Sequence, residues 1–260
     1  MKKYLFALIL CIALTSFVTA DAFSQASATP TDIVVRAQSK DAKFIGTSMG
    51  GAYITISDVE TGKILASGLT KGSTGDTQKL VRDPVNRYEN LSTPGAAKFE
   101  TTLQLAEPVF VEVRAVAPYA KKQARVETST QLWLIPGKDI TGDGIILEIP
   151  GFVIDVLNPQ THQSLSGLEM EIRANVVMMC GCPTSDGGLW DSSEYQIEAM
   201  IKKDGEIIES LPLGFTGQTS TFSGDYTAPG SGTYEIIVHA YHDQTGNTGV
   251  DKTTVVVSEQ

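Results

Sequence analysis

Ala52–Thr70 reads Ala-Tyr-Ile-Thr-Ile-Ser-Asp-Val-Glu-Thr-Gly-Lys-Ile-Leu-Ala-Ser-Gly-Leu-Thr. Ala52, Ile54 and Ile56 alternate with Tyr53, Thr55 and Ser57, a two-residue period that buries one face of a strand and wets the other. Thr61-Gly62 supplies a turn and Lys63 to Gly68 a returning strand. The same grammar extends in both directions. Ile33-Val34-Val35 reads as a strand upstream, and the polar stretch from Lys71 to Pro94, with Gly72, Gly75, Pro84 and Pro94, reads as a long loop. Phe99 to Leu105 and Val109 to Ala115, joined at Glu107-Pro108, predict a second hairpin. Thr128 to Ile135 and Ile145 to Ile149 add strands, with Pro136-Gly137 and Pro150-Gly151 as breaks.

On the strand, Thr-Gly turn and Leu-Ala strand of Ala52–Thr70, the N-terminal half resembles the transthyretin-like, carboxypeptidase-regulatory-like sandwiches. Members that hydrolyse hydroxyisourate use histidines and a C-terminal Tyr-Arg-Gly-Ser tail. This chain has neither in that half, its first histidine being His162, so the resemblance implies a scaffold without catalysis.

From Phe152 the pattern restarts with seven candidate strands: Phe152 to Leu157, Leu168 to Met179, Tyr195 to Ile201, Glu206 to Leu211, Thr219 to Tyr226, Thr233 to Tyr241 and Thr253 to Val257. Asp204-Gly205 is a two-residue hairpin turn. Gly230-Ser231-Gly232-Thr233-Tyr234 resembles the entry to strand F of immunoglobulin-like domains, and the half is similar to a bacterial immunoglobulin-like sandwich. The cysteine expected on strand F is absent. The predicted architecture is all-β, two sandwiches in tandem: residues 23–150 prealbumin-like and 151–260 immunoglobulin-like.

Composition agrees with a globular β chain. The 260 residues are 42% hydrophobic and 19% charged, with 24 glycines. Twenty Lys and Arg face 30 Asp and Glu, for a net charge of −10. That charge repels phosphate backbones and anionic lipid, which argues against nucleic acid as a partner. Lys2 and Lys3, the apolar run Tyr4 to Val18 and the small-x-small site Ala20-Asp21-Ala22 read as a signal peptide over residues 1–22. The run is short for a bilayer span, and no later stretch reaches spanning length. Leu10, ahead of Cys11, is too large for a lipoprotein site. The expected product is periplasmic or secreted, with no integral membrane segment after cleavage, and its expected partner is a cell-envelope protein or a small ligand.

One constellation carries chemistry. Met170, Ile172, Ala174 and Val176 form the inward set of their strand, and Met178, Cys180 and Cys182 share that parity. Tyr234, Ile236, Val238 and Ala240 form the inward set of another, with His242 next. In an immunoglobulin-like order both strand ends lie at one pole, so Cys180, Cys182 and His242 converge. Thiolates, imidazole and the thioethers of Met178 or Met179 suit Cu(I); zinc becomes an option if His239 joins His242. Because His239 and His242 lie on opposite faces of a regular strand, both ligate only where a bulge turns one of them. Trp190 would cap the metal. Two other readings stand open: a local Cys180–Cys182 disulfide, permitted by Gly181, with a purely structural or adhesive protein, or free thiols directed at a partner. Met178, Met179 and Trp190 are then packing residues.

Other motifs fail. Asp139-Ile140-Thr141-Gly142-Asp143-Gly144 starts like a calcium loop but has Leu147 and Pro150 at its ninth and twelfth positions, and reads as a solvated turn. No G-x-S-x-G elbow occurs, and the glycines Gly46, Gly50 and Gly51 precede a strand, so they cradle no phosphate. The expected function is non-catalytic binding, with copper or zinc at the cysteine pole as one form of it.

Overall fold

A computed structural model describes residues 27–259; the leader, Met1 to Ala22, and Cys11 within it lie outside the described residues. Seven strands build the N-terminal sandwich: β1 (Thr29–Ser39), β2 (Tyr53–Asp58), β3 (Ile64–Leu69), β4 (Phe99–Leu105), β5 (Val109–Ala117), β6 (Val126–Leu134) and β7 (Ile140–Ile149). They form one sheet in the order β4-β1-β7 and a second in the order β3-β2-β5-β6. The alternating residues face each other across the core. Ile33, Val35 and Ala37 of β1 meet Ile54 and Ile56 of β2 and Val111, Val113 and Ala115 of β5, all at most 1% exposed. Burying each Ile or Val contributes about 1.5–3 kcal/mol before chain entropy is set against it.

Two expectations are corrected here. β4 and β5 are not a hairpin, because β4 pairs with β1 whereas β5 pairs with β2 and β6. Glu107-Pro108 carries the chain from one sheet to the other. Alternation tells which side chains point inward, and that set is the same whether two strands pair edge to edge or face each other across a core. The Asp139–Gly144 segment is not a solvated turn but the bulged start of β7. Against parallel β1, Ile33 stands opposite Ile140 and Val35 opposite Ile145, so three extra residues are looped out. Gly144, at φ +71°, lies so close to the Val34 carbonyl that a Cβ would sit 2.2 Å from its oxygen. The Asp143 carboxylate accepts the Leu91 and Ser92 amides at 2.6 and 2.8 Å, which holds its pKa below the usual range although burial opposes the shift.

The long loop before β4 contains one turn of π-helix, Gln78–Arg82, and lies over the outer face of the three-stranded sheet. Its anchor is Arg36, only 4% exposed. Arg36 donates through Nη1 to the Ala96 and Ala97 carbonyls, both at 2.8 Å, and through Nη2 to Gly142 at 3.2 Å. Its guanidinium sits 5.3 Å over the Phe44 ring.

Nine strands build the C-terminal sandwich: β8 (Phe152–Asn158), β9 (Gln163–Ser166), β10 (Glu169–Met178), β11 (Tyr195–Lys203), β12 (Glu206–Pro212), β13 (Gly214–Phe215), β14 (Thr221–Thr227), β15 (Gly232–His242) and β16 (Asn247–Ser258). The seven expected strands are all present, and β9 and β13 are short additions. The sheets run β13-β14-β10-β8 and β12-β11-β15-β16-β9. In immunoglobulin lettering the first is D-E-B-A, and the second adds C′ and A′ to C-F-G. Tyr234, fully buried, donates its hydroxyl to the Gly230 carbonyl at 2.6 Å, which is the tyrosine corner of such sandwiches. Asp204 and Gly205, at φ +52° and +89°, make the expected turn between β11 and β12.

Candidate functional site at the sandwich junction

β10 and β15 present their inward residues as the alternation requires: Met170, Ile172, Ala174, Val176 and Met178 on one, Tyr234, Ile236, Val238, Ala240 and His242 on the other, none more than 7% exposed. The two strands lie in facing sheets, and contacts connect their ends. Met178 stands opposite Phe152 in register. The Phe152 ring meets Tyr195 edge-on at 5.0 Å, and Tyr195 meets His242 in the same way at 5.0 Å. One pole of the sandwich therefore collects the cysteine turn and His242.

The chemistry there is not that of an open thiolate site. Cys180 and Cys182 are joined in a disulfide, so their sulfurs carry no thiolate for copper or zinc. β15 keeps an unbroken register with both neighbours, and the bulge that would turn His239 toward His242 does not occur. His239 stays on the outer face, its Nδ1 3.1 Å from the Glu198 carbonyl. There it lines a depression of about 390 Å³ with Glu198, Tyr241 and Val250. Met178 packs in the C-terminal core, whereas Met179 packs in the N-terminal one. Among the described residues no three His, Cys, Asp or Glu side chains stand close enough to hold a metal ion. Of the expected ligands Cys180, Cys182, His242, His239, Met178 and Met179, the two sulfurs are thus joined to each other, His239 lies on the outer face, and the two methionines pack in different cores.

Instead, the other sandwich covers the base of the pole, leaving Pro183, Leu189 and Asp243 exposed at its rim. The turn after β1 inserts here: Trp190 Nε1 donates to the Asp41 carbonyl at 2.9 Å, and Asn247 Nδ2 donates to the Lys40 carbonyl at 3.3 Å. Asn247 Oδ1 also accepts the Gly151 amide at 2.8 Å, tying the connection between the sandwiches to the β15–β16 turn. Ala42 is buried in the C-terminal core, in one cluster with Cys180, Cys182, Trp190 and Tyr195. A second segment, after β5, reaches β8. Lys121 pairs with Asp155 at 2.7 Å, and Gln123 donates to the Ile154 carbonyl and the Asp155 carboxylate. Trp190 is therefore a plug between sandwiches.

His242 is 3% exposed. Its Nδ1 lies 3.0 Å from Thr245 Oγ1, while its Nε2 is buried without a hydrogen-bond partner, 4.0 Å from a Glu194 carboxylate oxygen. The Asp41 carboxyl is pushed above its usual range, first by burial and then by Glu194, against the opposing pull of His242. Its side chain nevertheless keeps solvent contact, so the shift is screened. Burial drives the Tyr195 phenol well above its ordinary range, with Asp41, Glu194 and Asp191 adding to the effect. Tyr195, the closed disulfide and the interior His242 pack together at this junction. Asp41, Ala42, Met49, Lys121 and Gln123 were not visible as site residues in the sequence. Each meets its partner from a distant part of the chain, and no local pattern marks it.

No known family model matches the chain, and no curated protein matches it. Among solved structures, similarity is found to an engineered protein at 15% identity, over 48% of this chain and 24% of that one, with a TM-score of 0.32; the chain thus spans about a quarter of that protein's length. The fibronectin(III)-like modules of Clostridium thermocellum CbhA match at 14% identity over 90% of this chain and 87% of theirs, with a TM-score of 0.28. A tandem of titin immunoglobulin domains matches at 10% identity over 90% and 99%, with a TM-score of 0.25. Strand order, and not these likenesses, carries the fold.

Proposed function

We propose that this chain is an exported, non-catalytic element of the cell envelope that holds two sandwiches in one mutual orientation and presents their outer faces to a protein or small-ligand partner, in a structural or adhesive role. The observation that carries this reading is the occupied pole. Cys182, Trp190 and Asn247, at the base of the loops that would serve as a binding tip, are buried against the Lys40–Ala42 turn and Met49 of the same chain, while the outer parts of those loops stay exposed. Interfaces between domains permit relative motion unless they are extensive and apolar, and here each core borrows residues from the other half. The division falls at Pro150-Gly151, between β7 and β8. A prealbumin-like N-terminal sandwich is supported by its central first strand, paired parallel to the last. Export is supported by the leader sequence and by the disulfide, which persists in oxidising compartments. No helix among the described residues is long and apolar enough to cross a membrane.

Mass spectrometry and metal analysis of the native mature protein test the non-metal form of this reading. The expected result is a chain lighter by two hydrogens than its reduced form, carrying neither copper nor zinc. Stoichiometric metal with both thiols reduced overturns it.

A further inference from the structure

Between Cys180 and Cys182 the chain turns on Gly181, at φ +77°. The turn is closed by the Gly181 amide to the Met178 carbonyl at 2.7 Å and the Met178 amide to the Cys182 carbonyl at 3.1 Å. Gly181 has no side chain because Met49, from the N-terminal sandwich, occupies the space: a Cβ there would lie 2.7 Å from the Met49 sulfur. Cys180 is 1% and Cys182 5% exposed, in one cluster with Ala42 from the same N-terminal half. The residue before Cys180, Met179, is buried in the opposite core. The sulfur pair is walled in part by a sandwich to which it does not belong, and thiol exchange needs access to one of the two sulfurs.

We propose that the Cys180–Cys182 disulfide is a shielded latch: a dithiol reductant reaches it only when the two sandwiches part, and its reduction weakens their return to the docked state. The latch rests on the fixed-orientation reading above. In the exchange, one thiolate of the dithiol attacks a cysteine sulfur, forming a mixed disulfide and releasing the other cysteine as a thiolate that takes up a proton. The second thiol of the reagent then displaces the remaining cysteine and closes the reagent into its own ring disulfide. Two electrons pass from the dithiol to the cysteine pair. With the sulfur link gone, only the two hydrogen bonds of the turn hold Gly181 against Met49.

The test is the rate at which dithiothreitol reduces the full mature chain, read by alkylation and mass. The native chain should react about a hundred-fold more slowly than the same chain in denaturant. Met49→Ala and Trp190→Phe, which loosen the junction, should each accelerate reduction about ten-fold. Tyr234→Phe is the control, because it removes a hydrogen bond of the same sandwich at the opposite end of β15; it should leave the rate within about two-fold. Reduction of the native chain at the denatured rate, equal acceleration by all three variants, or acceleration by none overturns the proposal. Small-angle scattering separates this from the reading beneath it. Mobile sandwiches in the oxidised chain would sink the fixed orientation. A rigid oxidised chain with an equally rigid Cys180→Ser, Cys182→Ser variant sinks the latch alone.

Discussion

The two sandwiches of this chain share an architecture and differ in what covers them. The N-terminal one supplies its own cover: its long loop lies across the three-stranded sheet and is held by the buried Arg36 guanidinium and the Asp143 carboxylate. The C-terminal one has the base of its cysteine pole covered by the other half of the chain. Charge divides the same way. Residues 27–150 carry 14 basic and 14 acidic side chains, whereas residues 151–259 carry 4 and 15, so the whole net charge of the described chain lies in the C-terminal sandwich. Glu171 and Asp225 even stand directly opposite each other on neighbouring strands, a like-charge pairing that costs stability. The contrast teaches that cover can come from a loop's own backbone carbonyls or from a neighbouring domain. Both reach the other folding unit, the loop through Val81, which packs against the C-terminal core, and the junction through Ala42 within it.

If the junction is a shared core, the heaviest blow falls on Ala42→Glu. It places a carboxylate among apolar neighbours of the C-terminal sandwich and should cost ~3 kcal/mol or more in chemical denaturation of the full chain. A loss confined to the N-terminal sandwich would break the comparison. Next comes Arg36→Ala, which leaves three carbonyls with no donor from this side chain and should cost about 2–3 kcal/mol. Limited proteolysis should then cut within residues 71–98, while the C-terminal sandwich keeps its resistance; equal protection of the loop would show that Arg36 is not its anchor. Trp190→Phe removes the hydrogen bond to the Asp41 carbonyl and leaves the smaller ring short of packing at a buried site, so about 1–2 kcal/mol is expected. Lys121→Ala touches a pair whose side chains are 37% and 32% exposed, and its effect should stay near ~0.5 kcal/mol and shrink with salt.

Acidity sharpens the same contrast at the smallest scale. The folded chain holds the Asp41 proton more tightly than the unfolded chain does, because burial raises its pKa. The stability linked to this group is therefore present below the ordinary carboxylate pKa and is lost as pH rises through the raised value. Asp41→Asn should stabilise the chain at neutral pH and give no gain in strong acid. Denaturation curves at both pH values check this, and a gain that persists unchanged in acid would assign the effect to something other than this carboxyl group.

Strand positions were readable in the sequence because alternation is local. Ile33, Ile54, Ile56, Ile172 and Ile236 declare their facing within a few neighbours, and the Asp204-Gly205 and Gly230–Tyr234 signals did the same for turns. Which sheet a strand joins was less legible. Phe99 to Leu105 and Val109 to Ala115 look like a hairpin until the core between them is known. The parity of Cys180, Cys182 and His242 was legible too, but their surroundings were not, since Asp41 and Lys40 meet Trp190 and Asn247 across 149 and 207 residues of chain.

By itself, the sequence determined an acidic, β-rich chain, the inward face of most strands and the candidate cysteine pole, because periodicity and composition act over a few residues. Only the tertiary structure decided that β4 and β5 face each other across a core, that Asp143 holds a loop, and that the base of the pole is covered by the other sandwich. Those outcomes depend on which distant surfaces can exclude water together, and that free energy is written in no single stretch of chain.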